Sequence, residues 1–335
     1  MKVFVSGVAG LIGSHLARAL LEMGEVVVGC DSMIGGYADN VPDGVQFFQT
    51  DCRDLPLVQA IMREVDVVYH CAATAYEGLS VFSPHFVVDN IVSGTAAMLS
   101  AACQNKVKRF VFLSSMARYG AGLVPFVEDE TPLCPRDPYG IAKVAAEKLT
   151  RMLCETHGIE WAVAVPHNVY GPGQRYDDPY RNVAAIFANL MLQGKQPFIY
   201  GNGQQRRCFS YVEDCIGPLV TLGLPGNTAS GLIVNIGPDG EFITILELAE
   251  TLAGIIGVDL EPLFVPSRPC EVKDANCSAG RARKVLGFSP KVSLYGGLAR
   301  MVDWIRRRGP LPFVYDLPLE IVNGETPQTW VKHLF

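Results

Sequence analysis

The chain has 335 residues, a formal net charge of −6, 49% hydrophobic residues and a mean hydropathy of +0.21. This length accommodates one large domain or two small ones with a sizeable core. The negative charge provides no basic face for nucleic acid or an anionic membrane, and no uninterrupted apolar run reaches the ~20 residues of a membrane span. The ten cysteines include no CxxC pair, so we interpret them as reduced, small apolar residues and expect a cytoplasmic protein without a metal site.

The first thirty residues predict a nucleotide-binding unit. A short apolar run leads into Gly7, Gly10 and Gly13, a helical pattern follows, and a second β-branched run ends at Asp31. Such glycines allow a tight turn, close approach of backbone N–H groups to a pyrophosphate, and packing of helix on strand. Glycines are also common in ordinary turns, but between two strands and before an acid they indicate dinucleotide binding. Asp31 favours NAD over NADP, because a carboxylate accepts hydrogen bonds from the ribose 2′-hydroxyl.

Strands and helices alternate through the first half of the chain. The predicted strands are 2–5, 26–28, 45–49, 66–70, 109–113 and 160–165, and the predicted helices are 11–23, 55–63, 86–104 and 139–157. This alternation predicts an α/β fold with a doubly wound parallel sheet and a ligand site at the carboxyl ends of its strands.

The amino-acid composition changes after Pro166. Glycine, proline, asparagine and tyrosine are dense in 168–180, which predicts a long loop that lines a site. Shorter elements follow: helices at 183–193, after 213, and at 244–255, 279–286 and 294–307, with strands near 208–211 and 232–236. We therefore expect an NAD-binding domain at 1–166. A smaller, discontinuous substrate lobe at 167–308 should return some segments to the first domain, and 309–335 should be an extended C-terminal arm.

A candidate acid–base pair lies at the start of the helix predicted at 139–157. Tyr139 and Lys143 are four residues apart and share one helical face. A phenol is a poor base at neutral pH, but a neighbouring ammonium and a positively charged nicotinamide would lower its pKa. A YxxxK pattern alone is frequent and also fits a buried tyrosine with a surface lysine. Ser114 and Ser115, at the end of an upstream strand, strengthen the catalytic interpretation because a hydroxyl there could share the substrate proton.

Taken in order, these motifs resemble the extended short-chain dehydrogenase/reductase superfamily, in its NAD-dependent nucleotide-sugar epimerase/dehydratase branch. The resemblance covers about residues 1–308 and implies a Rossmann-type sheet with a substrate lobe. It implies that Ser115, Tyr139 and Lys143 are catalytic. The residues it assigns to NAD are Gly7, Gly10, Leu11, Ile12, Gly13, Asp31, Asp51, Cys52, Cys71, Ala72, Ala73, Asn90, Tyr139 and Lys143. Those it assigns to the nucleotide sugar are Asn168, Asn182, Phe198, Tyr200, Arg207, Arg268, Glu271 and Ala275.

The resemblance also narrows the reaction. Dehydratases of the branch carry Asp-Glu directly after the catalytic Thr, and decarboxylases usually carry an acid at the second of those places. Met116 and Ala117 stand there in this chain, and neither transfers a proton. We therefore expect an NAD-dependent nucleotide-sugar 4-epimerase, with a UDP-hexose as substrate. A 4-keto reductase, an epimerase at another carbon and a non-catalytic NAD-sensing Rossmann protein remain open.

Two finer expectations concern assembly and pocket size. Relatives pair through two helices, which here are 86–104 and 139–157, so the resemblance implies a homodimer unless these helices only pack on the sheet. Ala275 stands where relatives have a residue beside the 2-substituent of the sugar. Its small side chain predicts room for an acetamido group, unless Tyr76 or Tyr176 fills the gap.

Overall fold

The computed structural model describes residues 1–335, with 14 strands and 11 α-helices. Up to residue 166 the elements are β1 (Lys2–Ser6), α1 (Leu11–Glu22), β2 (Val26–Asp31), β3 (Gln46–Gln49), α2 (Leu55–Ile61), β4 (Val67–His70), α3 (Glu77–Ser80), α4 (Pro84–Gln104), β5 (Arg109–Leu113), α5 (Pro138–His157) and β6 (Glu160–Pro166). The remaining elements are β7 (Val169–Tyr170), α6 (Val183–Leu192), β8 (Phe198–Tyr200), β9 (Arg206–Cys208), β10 (Ser210–Tyr211), α7 (Val212–Gly223), β11 (Leu232–Ile236), β12 (Phe242–Thr244), α8 (Ile245–Ile256), β13 (Leu263–Val265), β14 (Asp274–Ala275), α9 (Gly280–Leu286), α10 (Leu294–Arg308) and α11 (Gln328–Val331).

A seven-stranded parallel sheet forms the centre, in the order β11-β6-β5-β4-β1-β2-β3. Its inner strands are continuous apolar runs because both faces are covered: in β1, for example, Val3, Phe4 and Val5 are all buried. The strand order reverses between β1 and β4, and ligands bind beyond the carboxyl ends of strands at such a point. The predicted doubly wound parallel sheet is confirmed.

Helices cover the two faces of the sheet. Helices α1, α7 and α9 pack together on one face, while α2, α4 and α5 form the layer on the other. Each layer buries one apolar stripe against the sheet, which is the main source of stability for such an arrangement.

Helix α4 is long and apolar enough, by length and composition, to cross a membrane, although no uninterrupted apolar run of that length occurs in the sequence. Within its most apolar window, 44% of the residues are buried inside the protein, where α4 packs between α2 and α5. A core helix of the same composition meets the same criterion, so this finding alone does not indicate a membrane span.

The second half of the chain is built from shorter pieces. Strands β7 and β10 form a pair, β8 pairs with β13, and β9 lies between β12 and β14. Strand β11 extends the central sheet beside β6. The sequence analysis missed β7, β8, β12, β13 and β14, because two or three residues are too few to show a strand period. The boundaries proposed for the domains stay a prediction.

Residues 309–335, called the arm below, lie across both halves of the molecule. The Tyr176 hydroxyl donates to the Gly309 carbonyl at 2.8 Å, and the Glu320 backbone N–H donates to the Phe82 carbonyl at 3.0 Å. The indole of Trp330, in α11, is almost fully buried. The arm is thus attached to the body at several points along its course, although residues 321–325 are exposed.

Candidate active site

A cavity of about 420 Å³ opens at the carboxyl ends of the central strands and continues into the second half of the chain. Every residue that the sequence assigned to catalysis or NAD lines this cavity, as does every residue assigned to the nucleotide sugar except Ala275. The structure therefore brings these residues together, while the role of each one stays a prediction.

The glycine loop between β1 and α1 forms a cradle without room for side chains. Gly7 has φ +71°, and a Cβ on Gly13 would lie 2.1 Å from the Gly7 carbonyl oxygen. Helix α1 begins after Gly10, and no side chain caps its first N–H groups. Because Leu11 and Ile12 line the cavity at this positive helix end, the cradle fits a pyrophosphate.

Two carboxylates line the cavity beyond the cradle. Asp31 ends β2, and its two oxygens accept hydrogen bonds from the Ala9 N–H at 3.0 Å and the Met33 N–H at 2.8 Å. Burial raises the pKa of Asp31, and these backbone hydrogen bonds oppose that shift. Asp51 pairs with Arg53 at 2.7 Å, and this hydrogen-bonded cation lowers its pKa. A carboxylate fixed in this way at the end of β2, as Asp31 is, suits the ribose of a dinucleotide.

The candidate catalytic groups meet in the middle of the cavity. Asp137 caps α5 by accepting the Gly140 N–H at 2.8 Å, which places Tyr139 in the first helical turn. One turn on, the Lys143 ammonium donates to the Leu113 carbonyl at 2.8 Å. Burial lowers the pKa of Lys143 to about 8, so the group still carries a proton at neutral pH. Ser115 is the second residue after β5, and its hydroxyl accepts the Ala117 N–H at 3.2 Å.

The phenol of Tyr139 is a weaker acid than the sequence led us to expect. Burial raises its pKa to about 12, the Ser115 hydroxyl lowers it, and the charges of Glu77 and Asp137 raise it further. The Lys143 ammonium points to the Leu113 carbonyl and lies 5.9 Å from the centre of the Tyr139 ring. A lower phenol pKa would thus require a positive charge beyond those of the chain itself, such as a bound nicotinamide.

The end of the cavity beside Arg268 has buried polar atoms without partners. Arg268 pairs with Glu271 at 2.9 Å and stacks over the Tyr200 ring at 4.6 Å. However, Arg268 Nε, Glu271 Oε2 and Gln205 Oε1 have no hydrogen-bond partner. Buried polar groups are normally satisfied, so these atoms indicate a polar ligand at this end.

Other residues assigned to the nucleotide sugar are held by the backbone. The Arg207 guanidinium donates to the carbonyls of Val272 at 2.6 Å and Lys273 at 3.0 Å. The Asn168 amide donates to the Cys208 carbonyl at 2.8 Å, and Asn182 caps α6. Their positions are therefore fixed before any ligand binds.

Ala275 is not among the residues that line this cavity, and the role expected for it stays a prediction. Ala275 lies in β14, beside Arg207 in β9, and is buried. Tyr76 and Tyr176 do not line the cavity either, because their hydroxyls bond Asp178 and the Gly309 carbonyl. A two-residue strand has no period that could have revealed which way its side chains face.

Sequence reasoning missed several residues that line the cavity, including Glu77, Asp137, Arg175, Arg181 and Phe335. Glu77 lies on the four-residue helix α3, and Arg181 reaches the Gly35 carbonyl, 146 positions away in sequence, at 2.9 Å. No local pattern marks such residues. Pro138, next to Asp137, indicated a helix start, but nothing in the sequence indicated that burial, followed by the charge of Glu77, raises the pKa of Asp137 to about 7.

The doubly wound sheet, the glycine cradle and the Ser115, Tyr139 and Lys143 set define a protein of the short-chain dehydrogenase/reductase type. Residues 3–237 match the NAD dependent epimerase/dehydratase family. The chain belongs to this family.

Known relatives and solved structures are similar to this protein over nearly the whole chain. The chain is 33% identical to the UDP-glucose 4-epimerase of Mycolicibacterium smegmatis, over 92% of this chain and 99% of the relative. It is 32% identical to the dTDP-glucose 4,6-dehydratase of Streptomyces antibioticus, over 91% and 92% of the two chains. The crystal structure of Thermus thermophilus UDP-glucose 4-epimerase in complex with NAD superposes with a TM-score of 0.84 and 32% identity, over 91% and 99% of the chains. NAD is the cofactor of this family, and the glycine cradle and Asp31 fit it.

Proposed function

We propose that the chain is an NAD-dependent 4-epimerase of a nucleotide sugar, with a UDP-hexose as substrate and a transient 4-keto sugar as intermediate. One observation carries the proposal: Tyr139, Ser115 and Lys143 line the same continuous cavity as the glycine cradle, Arg268 and Glu271. Met116 and Ala117, which follow Ser115, do not line the cavity and contribute no further acid or base there.

In this proposal each side chain has a separate role in the reaction. NAD, when bound, supplies the hydride acceptor and donor. The Tyr139 phenolate accepts the proton of the sugar 4-hydroxyl and later returns it, while Ser115 hydrogen-bonds the same oxygen. The charge of Lys143 favours the phenolate. Arg268, whose Nε lacks a partner, holds the diphosphate as the sugar turns over between the two transfers.

Product analysis tests the proposal. Purified protein is incubated separately with UDP-glucose, UDP-galactose and UDP-N-acetylglucosamine. The products are separated, their masses are measured by mass spectrometry, and their configuration is assigned by proton NMR. A 4-epimerase converts at least one sugar to its C4 epimer, with unchanged mass and no net formation or consumption of NADH. Net consumption of added NADH, or inversion at another carbon, would overturn the proposal.

A second candidate is a nucleotide-sugar 4,6-dehydratase. The carboxyl groups of Glu77 and Asp137 both line the cavity near Tyr139, and a raised pKa lets Asp137 keep a proton near neutral pH. An acid and a base are what elimination of water requires. The same mass spectra distinguish the two, because a dehydratase yields a product lighter by one water.

We also propose a homodimer formed through α4 and α5. On α5, Ile141 and Met152 are more than half exposed, although both are large and apolar. An isologous contact through these helices would cover them. Light scattering at micromolar concentration should give twice the chain mass of 36.4 kDa, and Met152→Glu together with Ile141→Glu should give the single-chain mass. A wild-type protein of single-chain mass contradicts the dimer.

A further inference from the structure

The arm reaches the cavity at the end that contains Phe198. Phe335 lines the cavity together with Phe198 and Tyr200. The ring centres of Phe335 and Phe198 are 5.4 Å apart, with an interplanar angle of 78°. Two rings in this edge-to-face arrangement form an apolar corner against which a third flat ring can pack.

The arm holds Phe335 in this place through contacts of its own. The Phe335 N–H donates to the Tyr315 hydroxyl at 3.0 Å, and the Phe335 ring packs on Phe313 at 5.5 Å. Further along the arm, the Thr329 hydroxyl bonds the Tyr200 hydroxyl of β8. Phe335 is therefore a fixed part of the cavity wall and not a loosely attached residue.

The chemistry at this end changes over a short distance from charged to apolar. Arg268 stacks over the face of Tyr200, and its unpartnered Nε marks a site for an anion. The corner formed by Phe198 and Phe335 adjoins the same tyrosine. A ligand that joins an anionic group to a flat aromatic ring, as a nucleoside diphosphate does, matches a cationic region next to an apolar one.

We propose that Phe335 forms, with Phe198, an aromatic wall that binds the base of the nucleotide, so that the arm is part of the substrate site. This inference rests on the proposed nucleotide-sugar substrate and deepens it. The resemblance seen in the sequence ends near residue 308, and it assigned no role to any residue of the arm. Base recognition is thus shared between β8 and a segment outside the family pattern.

The test compares nucleoside diphosphates, which carry a base, with inorganic pyrophosphate, which has the two phosphates but no base. Binding of UDP and of inorganic pyrophosphate to the NAD-loaded protein is measured by titration calorimetry, with dTDP as a second nucleotide. Phe335→Ala should weaken UDP binding by about tenfold, the loss expected when one aromatic stacking partner is removed, and should leave pyrophosphate binding unchanged. Leu334→Ala is the matched control, because Leu334 is the neighbouring apolar residue of the arm and is 44% exposed.

Each outcome decides between the alternatives. Equal UDP affinity in wild type and Phe335→Ala, or equal loss of UDP and pyrophosphate affinity, overturns the aromatic wall but leaves the proposed function intact. A wild-type protein that binds pyrophosphate but neither UDP nor dTDP overturns both. If Phe335→Ala fails to fold, Phe335→Leu keeps apolar volume without the aromatic face and should still weaken UDP selectively.

Discussion

The two ends of the cavity are built in different ways. At the NAD end the wall is mainly backbone: Gly7 and Gly13 approach each other too closely for any side chain, and Asp31 is held by two backbone N–H groups. At the substrate end the wall is made of side chains, and buried atoms of Arg268 and Glu271 lack partners. The first end is complete before binding, whereas the second becomes fully hydrogen-bonded only with a ligand.

This difference follows from where the residues come from. The NAD end uses residues at the ends of adjacent strands in one sheet, so the sheet itself sets their spacing. The substrate end collects β8, β9, the loop around Arg268 and the arm, which meet only through packing. Changes at the NAD end should therefore act on cofactor retention, and changes at the substrate end on nucleotide affinity. Changes at Tyr139, between the two, should act on turnover alone.

The largest effect, a loss of turnover, is expected from a change at Tyr139. Tyr139→Phe keeps the ring but removes the proton acceptor, so kcat should fall by about 10³-fold with NAD still bound. Turnover is measured with the nucleotide sugar that the product analysis identifies as a substrate. Bound NAD is measured after it is released by denaturing the protein. Tyr119→Phe is the control, because the Tyr119 hydroxyl bonds Asn235 outside the cavity. Turnover near that of wild type in Tyr139→Phe would contradict the proton-transfer role.

A second large effect is expected at the cradle. Gly13→Ala places a Cβ 2.1 Å from the Gly7 carbonyl oxygen, and overpacking of ~1–3 kcal/mol corresponds to as much as about a 100-fold loss of NAD affinity. NAD content after purification measures this loss. Gly254→Ala, where a new Cβ has open space, should retain NAD. If Gly13→Ala retains NAD as well as Gly254→Ala does, the cradle is not the pyrophosphate site.

A change at the substrate end should lower nucleotide affinity without affecting NAD binding. Arg268→Gln removes a charged donor, and charge-assisted hydrogen bonds of ~1.5–3 kcal/mol predict a loss of about tenfold or more in UDP affinity. NAD content should not change. Arg307→Gln, in a surface pair with Asp303, is the matched control for calorimetry. Equal losses of NAD and UDP in Arg268→Gln would show that the two ends are not independent.

The smallest effect concerns pH. Burial, and then the charge of Glu77, raise the pKa of Asp137 to about 7, so Asp137 becomes negative above this pH and holds the pKa of Tyr139 high. Asp137→Asn keeps a helix cap but removes the charge. The phenolate then forms more easily, and the acidic limb of the kcat–pH profile should move to lower pH. Asp303→Asn, on the surface, should leave the profile in place, and a move to higher pH in Asp137→Asn would show that Asp137 does not act on the phenol.

The sequence by itself determined the sheet and the positions along it where chemistry could occur. Inner strands contain continuous apolar runs, such as residues 110–113 of β5, that the sequence shows without any tertiary information. The spacing of Gly7, Gly10 and Gly13 placed the cradle, and the four-residue step from Tyr139 to Lys143 placed both on one helical face. These features are local, and local features depend on backbone geometry that a sequence pattern records directly.

Only the tertiary structure decided which distant residues complete the site. Ala275 does not line the cavity, whereas Glu77, Asp137 and Phe335, which no sequence pattern marked, do. The tertiary structure also reversed the direction of the pKa shift expected for Tyr139 in the chain alone, because burial outweighs the partners that favour the phenolate. Burial and contact between remote segments depend on how the whole chain packs, and no short stretch of sequence carries that information.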